Sequence, residues 1–177
     1  MNKICIKIDD TFSMNNNFLE DLSNKKNTEI EVSFISDFKS AKILRNFISD
    51  LSDSLKIDPI WKSRLILIAD ELNNNAIEYW SKPWEINTFK TIINFNHDSF
   101  KFYLEVSDTW NWKGHKTAKD MILLRTTKKL KWFHKNNWIR WRWLFMIIER
   151  LVDRLYFKDS DKWGLIVWIE KKFEIKK

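Results

Sequence analysis

"LILIADELNNNAIEYW", Leu65 to Trp80, decides the architecture. Leu65, Ile68, Ala69, Leu72, Ala76 and Tyr79 recur at the i, i+3, i+4, i+7 spacing of an amphipathic helix, so one stripe must face a core. Asp58 and Pro59 mark its start: an acceptor side chain at the N-cap, then a ring with φ already set for the first helical position. Glu71 and Asn75 stand four residues apart, off the apolar stripe, and so share one polar face. A carboxylate beside a carboxamide can position a hydroxyl or water and offer oxygen ligands to Mg²⁺. Taken alone, the pair is a weak signal, and a solvated helix face is its commoner setting.

Upstream, Ser36 is expected to cap an earlier helix with Ala41, Leu44, Phe47, Ile48, Leu51 and Leu55 at the same spacing, preceded by a strand from Glu29 to Ile35. Downstream, strands are expected near Thr88 to Asn96 and over Phe100 to Ser107, where Phe100, Phe102, Leu104 and Val106 alternate with polar residues. Asp108 closes the second of these strands, where an acid can accept a hydrogen bond from a base amino group or cap a turn. A basic, irregular stretch runs from Lys113 to Arg142. A helix over Trp143 to Leu155, a short strand "RLYFK" and a last strand from Leu165 to Phe173 complete the pattern. Residues 1–28 read as an N-terminal extension containing the strand "KICIKI", with Cys5 expected to be a small buried residue; 29–175 read as one domain. The fold class is α+β: a two-layer α/β sandwich, a mixed, mainly antiparallel sheet with helices on one face.

Composition narrows the function classes. The longest unbroken apolar run, Trp143 to Ile148, is far below the roughly 20 residues of a membrane-spanning helix. The polar N-terminus is unlike a signal peptide, and a single Cys5 excludes an internal disulfide, so a cytoplasmic protein is expected. Residues 113–142 hold ten Lys/Arg against Asp120 alone, a net +9 that leaves −2 elsewhere in a chain of +7. Such a segment suits a phosphate-bearing or acidic partner. His97, His115 and His134 have no neighbours at metal-ligand spacing, and His97 is expected to be exposed in a turn. The sharpest anomaly is 11 Trp and 2 Gly in 177 residues, where about 12 Gly would be ordinary.

Five segments fall in a meaningful order: Glu71-Leu-Asn-Asn-Asn75-Ala76, Asp108-Thr-Trp110-Asn-Trp112, Trp141-Arg-Trp143-Leu144, Leu151-Val-Asp153 and Trp163-Gly164-Leu165. Together they resemble the histidine-kinase-like ATPase superfamily (Bergerat fold), and within it the anti-sigma factor serine kinases. Members of that group carry Glu-x-x-x-Asn-Ala on a helix and Asp-x-Gly-x-Gly after a strand. A lid follows, then Gly-x-Gly-Leu opening a helix that ends in Leu-Met-Asp, and a final Gly-Gly-Thr. The departures are nearly all tryptophan where the family has glycine. With Gly for Trp, "NNWIRWRWLF" becomes "NNGIRGRGLF", and "AIEYWSKPWEIN" becomes a turn punctuated by Gly-Ser and Pro-Gly. With the same change "DKWGLIVWIEKKF" becomes "DKGGLIVGIEKKF", and the economical explanation is a gene whose lineage reads UGA as glycine, with most or all of the eleven tryptophans being UGA translated as tryptophan. A true Trp-rich protein that stacks bases or anchors at a membrane surface would not place its tryptophans on one motif set's glycines.

The resemblance implies Mg-ATP binding. Asp108 would read the adenine amino group, Asn75 would hold Mg²⁺, and Glu71 would orient the attacking hydroxyl. The intended glycines at Trp110, Trp112, Trp141 and Trp143, together with Gly164, would shape the adenine pocket and phosphate cradle, with Arg140 and Arg142 balancing phosphate charge. The implied activity is phosphorylation of a serine or threonine on a small antagonist protein, in a partner-switching circuit that governs a sigma factor; a homodimer is compatible. Arg45 matches an Arg often found on the family's first helix and equally suits a plain surface position. Leu165 replaces the family's Thr. A non-catalytic ATP-binding regulatory module and, more weakly, a basic nucleic-acid-binding domain are the alternatives.

Overall fold

The computed structural model describes residues 2–7, 26–82, 84–109, 117–130, 148–161 and 164–175. Six strands form one sheet: β1 (Asn2–Lys7), β2 (Thr28–Ile35), β3 (Ile86–Phe95), β4 (Ser99–Ser107), β5 (Arg154–Asp159) and β6 (Leu165–Glu174). Their spatial order is β1-β2-β3-β4-β6-β5, with β1–β2 parallel and every other pairing antiparallel. Helices α1 (Phe38–Ser54) and α2 (Pro59–Asn75) cover one face, and α2 runs into a π-helical turn, Ala76–Trp80. The fold is the expected α+β sandwich.

Alternation in the strands makes the layer. Ile30, Val32 and Phe34 of β2, Phe89 and Ile93 of β3, Phe102, Leu104 and Val106 of β4, and Val167 and Ile169 of β6 are all buried. They meet Leu44, Phe47, Ile48 and Leu51 of α1 and Leu65, Ile68, Ala69 and Leu72 of α2. Phe47 meets Phe89 edge to face at 6.1 Å, joining helix layer to sheet. The opposite face is a charge ladder: Lys3 bridges Glu29 and Glu31, and Lys90 bridges Glu31 and Glu105. Cross-strand pairs of this kind let one side of an antiparallel sheet face water.

Several expectations are corrected. The N-cap of α1 is Asp37, whose carboxylate accepts the Lys39 amide, and not Ser36. Cys5 is exposed, because Ile4 takes the core side of β1 and period-2 alternation turns Cys5 outward. Part of the supposedly irregular basic stretch is a third helix, α3 (Ala118–Leu130). Thr117 and Asp120 start it with a reciprocal capping box: the Asp120 amide donates to Thr117 Oγ1 and the Thr117 amide to Asp120 Oδ2. The helix expected through Leu155 ends sooner, since helical residues 148–151 give way to β5 at Arg154.

The tryptophans with described side chains divide by what the backbone asks of them. Trp61 meets Phe173 edge to face at 5.6 Å, with Lys171 Nζ 4.6 Å from its ring centre. Trp168 stacks on its cross-strand partner Tyr156 at 4.2 Å. Both use the indole. Trp84 is 74% exposed with φ of 71°. It is the third residue of a turn closed by the Glu85 amide donating to Lys82 O at 3.2 Å. A positive φ at that place is the signature of a type II turn, which glycine fills without strain. Trp84→Gly is expected to raise stability by about 1 kcal/mol through relief of the left-handed strain. Trp61→Gly is expected to lower it by about 2 kcal/mol or more, through lost ring packing and a glycine within a helix. Urea denaturation of both variants checks the pair; changes of the same sign in the two variants would contradict the division.

Candidate functional site

The site begins where β4 ends. Asp108 follows Ser107 directly and is 3% exposed. Its Oδ1 accepts the Leu165 amide at 3.1 Å, and its own amide donates to Leu165 O at 3.3 Å. The carboxyl group is thus fixed by the first residue of β6, the next strand in the sheet. Gly164 sits against it so tightly that a Cβ there would lie well inside contact distance of Asp108 O, 2.7 Å from Oδ1 and 2.8 Å from the carbonyl carbon. Most of that obstruction is backbone, so it cannot move away cheaply, and position 164 requires glycine. The turn that delivers Gly164 is closed in both directions: the Ser160 amide donates to Gly164 O at 2.8 Å, and the Gly164 amide donates to Ser160 Oγ at 3.2 Å.

The second part of the site is the C-terminal end of α2, which packs against β4. Asp58 accepts the Ile60 and Trp61 amides and fixes the start of this helix, as its sequence predicts. Glu71 is partly exposed, and Asn75, the last residue of α2, is 5% exposed. One π-type hydrogen bond, the Ser81 amide to Ala76 O at 3.0 Å, terminates the segment directly after Asn75. Such turns recur at functional positions in helices. Asn75 Nδ2 and both polar side-chain atoms of Asn73 are buried without a hydrogen-bond partner among the described residues. Each such atom costs about 1–3 kcal/mol when left unsatisfied, so this helix end holds polar groups suited to a ligand or bound water.

Asp108 and Gly164 are therefore in direct contact, and Glu71 and Asn75 lie one turn apart on α2, which packs against β4. Trp110, Trp112, Arg140, Trp141, Arg142 and Trp143 lie outside the described residues. Arg45 is engaged: its guanidinium grips Asp70 through Nε and Nη2, both 2.8 Å from Oδ2, and this contact raises its pKa. It ties α1 to α2 beside Glu71. Asp153, the end of the Leu-Val-Asp motif, clamps β6: Oδ2 accepts the Lys172 amide at 2.7 Å and Oδ1 meets Lys171 Nζ at 2.8 Å. Burial pushes its carboxyl up, but these donors outweigh that and hold it below its ordinary value. His97 is exposed in the β3–β4 turn, as expected.

Sequence reasoning missed two features. One is α3, although Thr117-x-x-Asp120 is a legible capping signal. The other is Glu85, whose Oε2 accepts the Lys82 amide at 3.0 Å and Thr109 Oγ1 at 2.8 Å. The Lys82 bond is local, but Thr109 lies 24 residues on, and no local pattern announces that bond. Among the described residues there is no cluster of three or more His, Cys, Asp or Glu able to hold a metal, and no helix long and apolar enough to cross a membrane. By donor type, Glu71 and Asn75 are the described residues that could offer oxygen ligands to Mg²⁺, in the mode where substrate phosphates and water supply the rest. No family model and no curated protein matches the chain.

Gly164→Ala should force β6 away from Asp108 and cost about 1–3 kcal/mol, the usual penalty for overpacking. Denaturation together with amide exchange at Leu165 checks this. A variant with wild-type stability and unchanged Leu165 protection would show that the close approach is not required.

Proposed function

We propose that this chain is an ATP-binding domain that acts as a serine/threonine protein kinase on a small antagonist protein, in a partner-switching circuit controlling a sigma factor. The observation that carries the reading is the contact of buried Asp108 with Gly164, in a sheet against whose strand β4 packs the helix that bears Glu71 and Asn75. This agrees with the order Glu-x-x-x-Asn, Asp-x-Gly, Gly-Gly of the ATPases the sequence resembles. Asp108 Oδ1 is held by the Leu165 amide, which leaves the carboxyl group oriented to accept a hydrogen bond from an adenine amino group. Glu71 would accept the proton of the attacking hydroxyl and aim its oxygen at the terminal phosphate. Asn75 would contribute an oxygen ligand to Mg²⁺, which neutralises phosphate charge when bound.

The rest of the cradle rests on glycine. Backbone amides approach phosphates closely only where no Cβ intervenes, and a helix N-terminus favours an anion. Trp141 and Trp143 would fill that space with indole. We therefore take glycine to be the native residue at most of the tryptophan positions, among them the six at 84, 110, 112, 141, 143 and 163, with UGA codons written as tryptophan; the left-handed φ at Trp84 supports this independently of any motif. Tryptophan at those positions also deprives the sequence of the residues by which relatives would be matched.

Leu165 favours a second reading. It is 2% exposed and meets Asp108 through its backbone groups, where the family's Thr would add a hydroxyl. An ATP-binding regulatory module without phosphoryl transfer is consistent with that change.

The test is calorimetry on two full-length chains, one with tryptophan and one with glycine at the six positions. The glycine form should bind Mg-ATP and the tryptophan form far more weakly; equal affinities would refute the pocket assignment. In the glycine form, Asn75→Ala should weaken Mg-ATP binding. Glu71→Ala should leave binding intact and lower transfer to an antagonist protein by about 10²-fold or more. ATP binding without transfer by the parent glycine form would select the regulatory-module reading.

A further inference from the structure

Asp108 is held on one side by β6. What holds the other side is Glu85. This residue stands in the short link between the π turn that ends α2 and the start of β3, and it makes four hydrogen bonds. Its amide closes the 82–85 turn on Lys82 O at 3.2 Å, and its carbonyl accepts the Ser36 amide at 2.8 Å, at the entry to α1. Its Oε2 accepts the Lys82 amide at 3.0 Å and the Thr109 hydroxyl at 2.8 Å. Both backbone groups and the side chain are thereby constrained, so the carboxylate has little freedom to follow Thr109 if that residue drifts.

Thr109 is the residue after Asp108. Glu85 follows the helix that carries Glu71 and Asn75 by a single turn. The Glu85–Thr109 bond therefore ties the helix half of the site to the strand half. A nearby pair, Ser81 Oγ donating to Asn87 Oδ1 at 2.5 Å, stiffens the same link in the buried layer. We propose that Glu85 is a positioning residue that fixes the Asp108 carboxyl group relative to α2, and so sets how strictly the site distinguishes an adenine from another base. The second half of this statement rests on the nucleotide reading above; the first does not. Bonds to a carboxylate are stronger than neutral ones, which suits Glu here. The acceptor geometry is what matters, and Gln can reproduce it with its amide oxygen.

The experiment uses the full-length glycine form, with Glu85→Ala, Glu85→Gln and, in case the first variant folds poorly, Thr109→Val, which removes only the hydroxyl donor. Two readouts are taken. Hydrogen exchange at the Leu165 amide reports the Asp108 carboxyl directly, because that amide donates to Oδ1. Competition between ATP and GTP reports base discrimination. Glu85→Ala should speed Leu165 exchange and reduce the preference for ATP, each by roughly tenfold or more, the scale of one lost charge-assisted bond. Thr109→Val should change both in the same direction, and Glu85→Gln should stay near the parent. If the parent binds no nucleotide while Glu85→Ala still loosens Leu165, positioning by Glu85 holds and the nucleotide reading falls. If the parent binds ATP and Glu85→Ala leaves exchange and base preference unchanged, the proposal is overturned. Equal losses in Glu85→Gln and Glu85→Ala also overturn it, because the acceptor geometry would then be irrelevant.

Discussion

The approach of Gly164 to Asp108 is the constraint from which the site follows. Two adjacent strands of an antiparallel sheet must begin and end together here, with Leu165 exchanging both of its backbone groups with Asp108. That exchange brings the backbone at 164 to a distance that tolerates no Cβ. A buried carboxyl group otherwise carries a large desolvation cost. At this position the backbone supplies a donor, and the group becomes a fixed, oriented acceptor at the edge of the core. The β4–β6 register, with Ser107 opposite Ile166, leads directly to this pairing of Asp108 with Leu165.

The remaining architecture brings other chemistry to the same place. α2 is oriented by its Asp58 cap and by its apolar stripe, which joins the core beneath it and packs the helix against β4. The Arg45–Asp70 pair keeps α1 in step with it. The π turn then redirects the chain into the 82–85 turn, from which Glu85 reaches Thr109. α3 is docked against β5 by the Ala118 amide on Asp159 and by Arg125, which bonds Glu149 and Leu155 O. The helical part of the basic segment, α3, is thus attached to the edge strand β5, next to the strand that begins at Leu165.

What was legible in the sequence had a strong local period or a cap. The stripe Leu65–Ala76 and the alternation Phe100–Val106 gave correct elements, since burying one face leaves no freedom of register. Glu71 and Asn75 were placed on one face by the helical period alone. Asp108 was located at a strand end, but its bond to Leu165 spans 57 residues and could not be inferred from local spacing. Cys5 was misjudged because a six-residue strand alternates and either face is available to it until its neighbour is known. α3 was hidden by its charge, since most of its residues are polar and a short buried set including Ala118 and Met121 is enough to dock it. The Glu85 connection depends wholly on tertiary placement.

The account makes a single demand on the chain: at particular places there must be no side chain. Gly164 meets it openly. Trp84, with its left-handed φ, occupies a position of the same kind, whereas Trp61 and Trp168 sit where a ring is used. The most direct measurement is peptide mass mapping of the protein isolated from its own cells, read against the codons of its gene. The account predicts glycine from UGA at positions 84, 141 and 143, and tryptophan at 61. Tryptophan found at 141 and 143 in the native protein would contradict it.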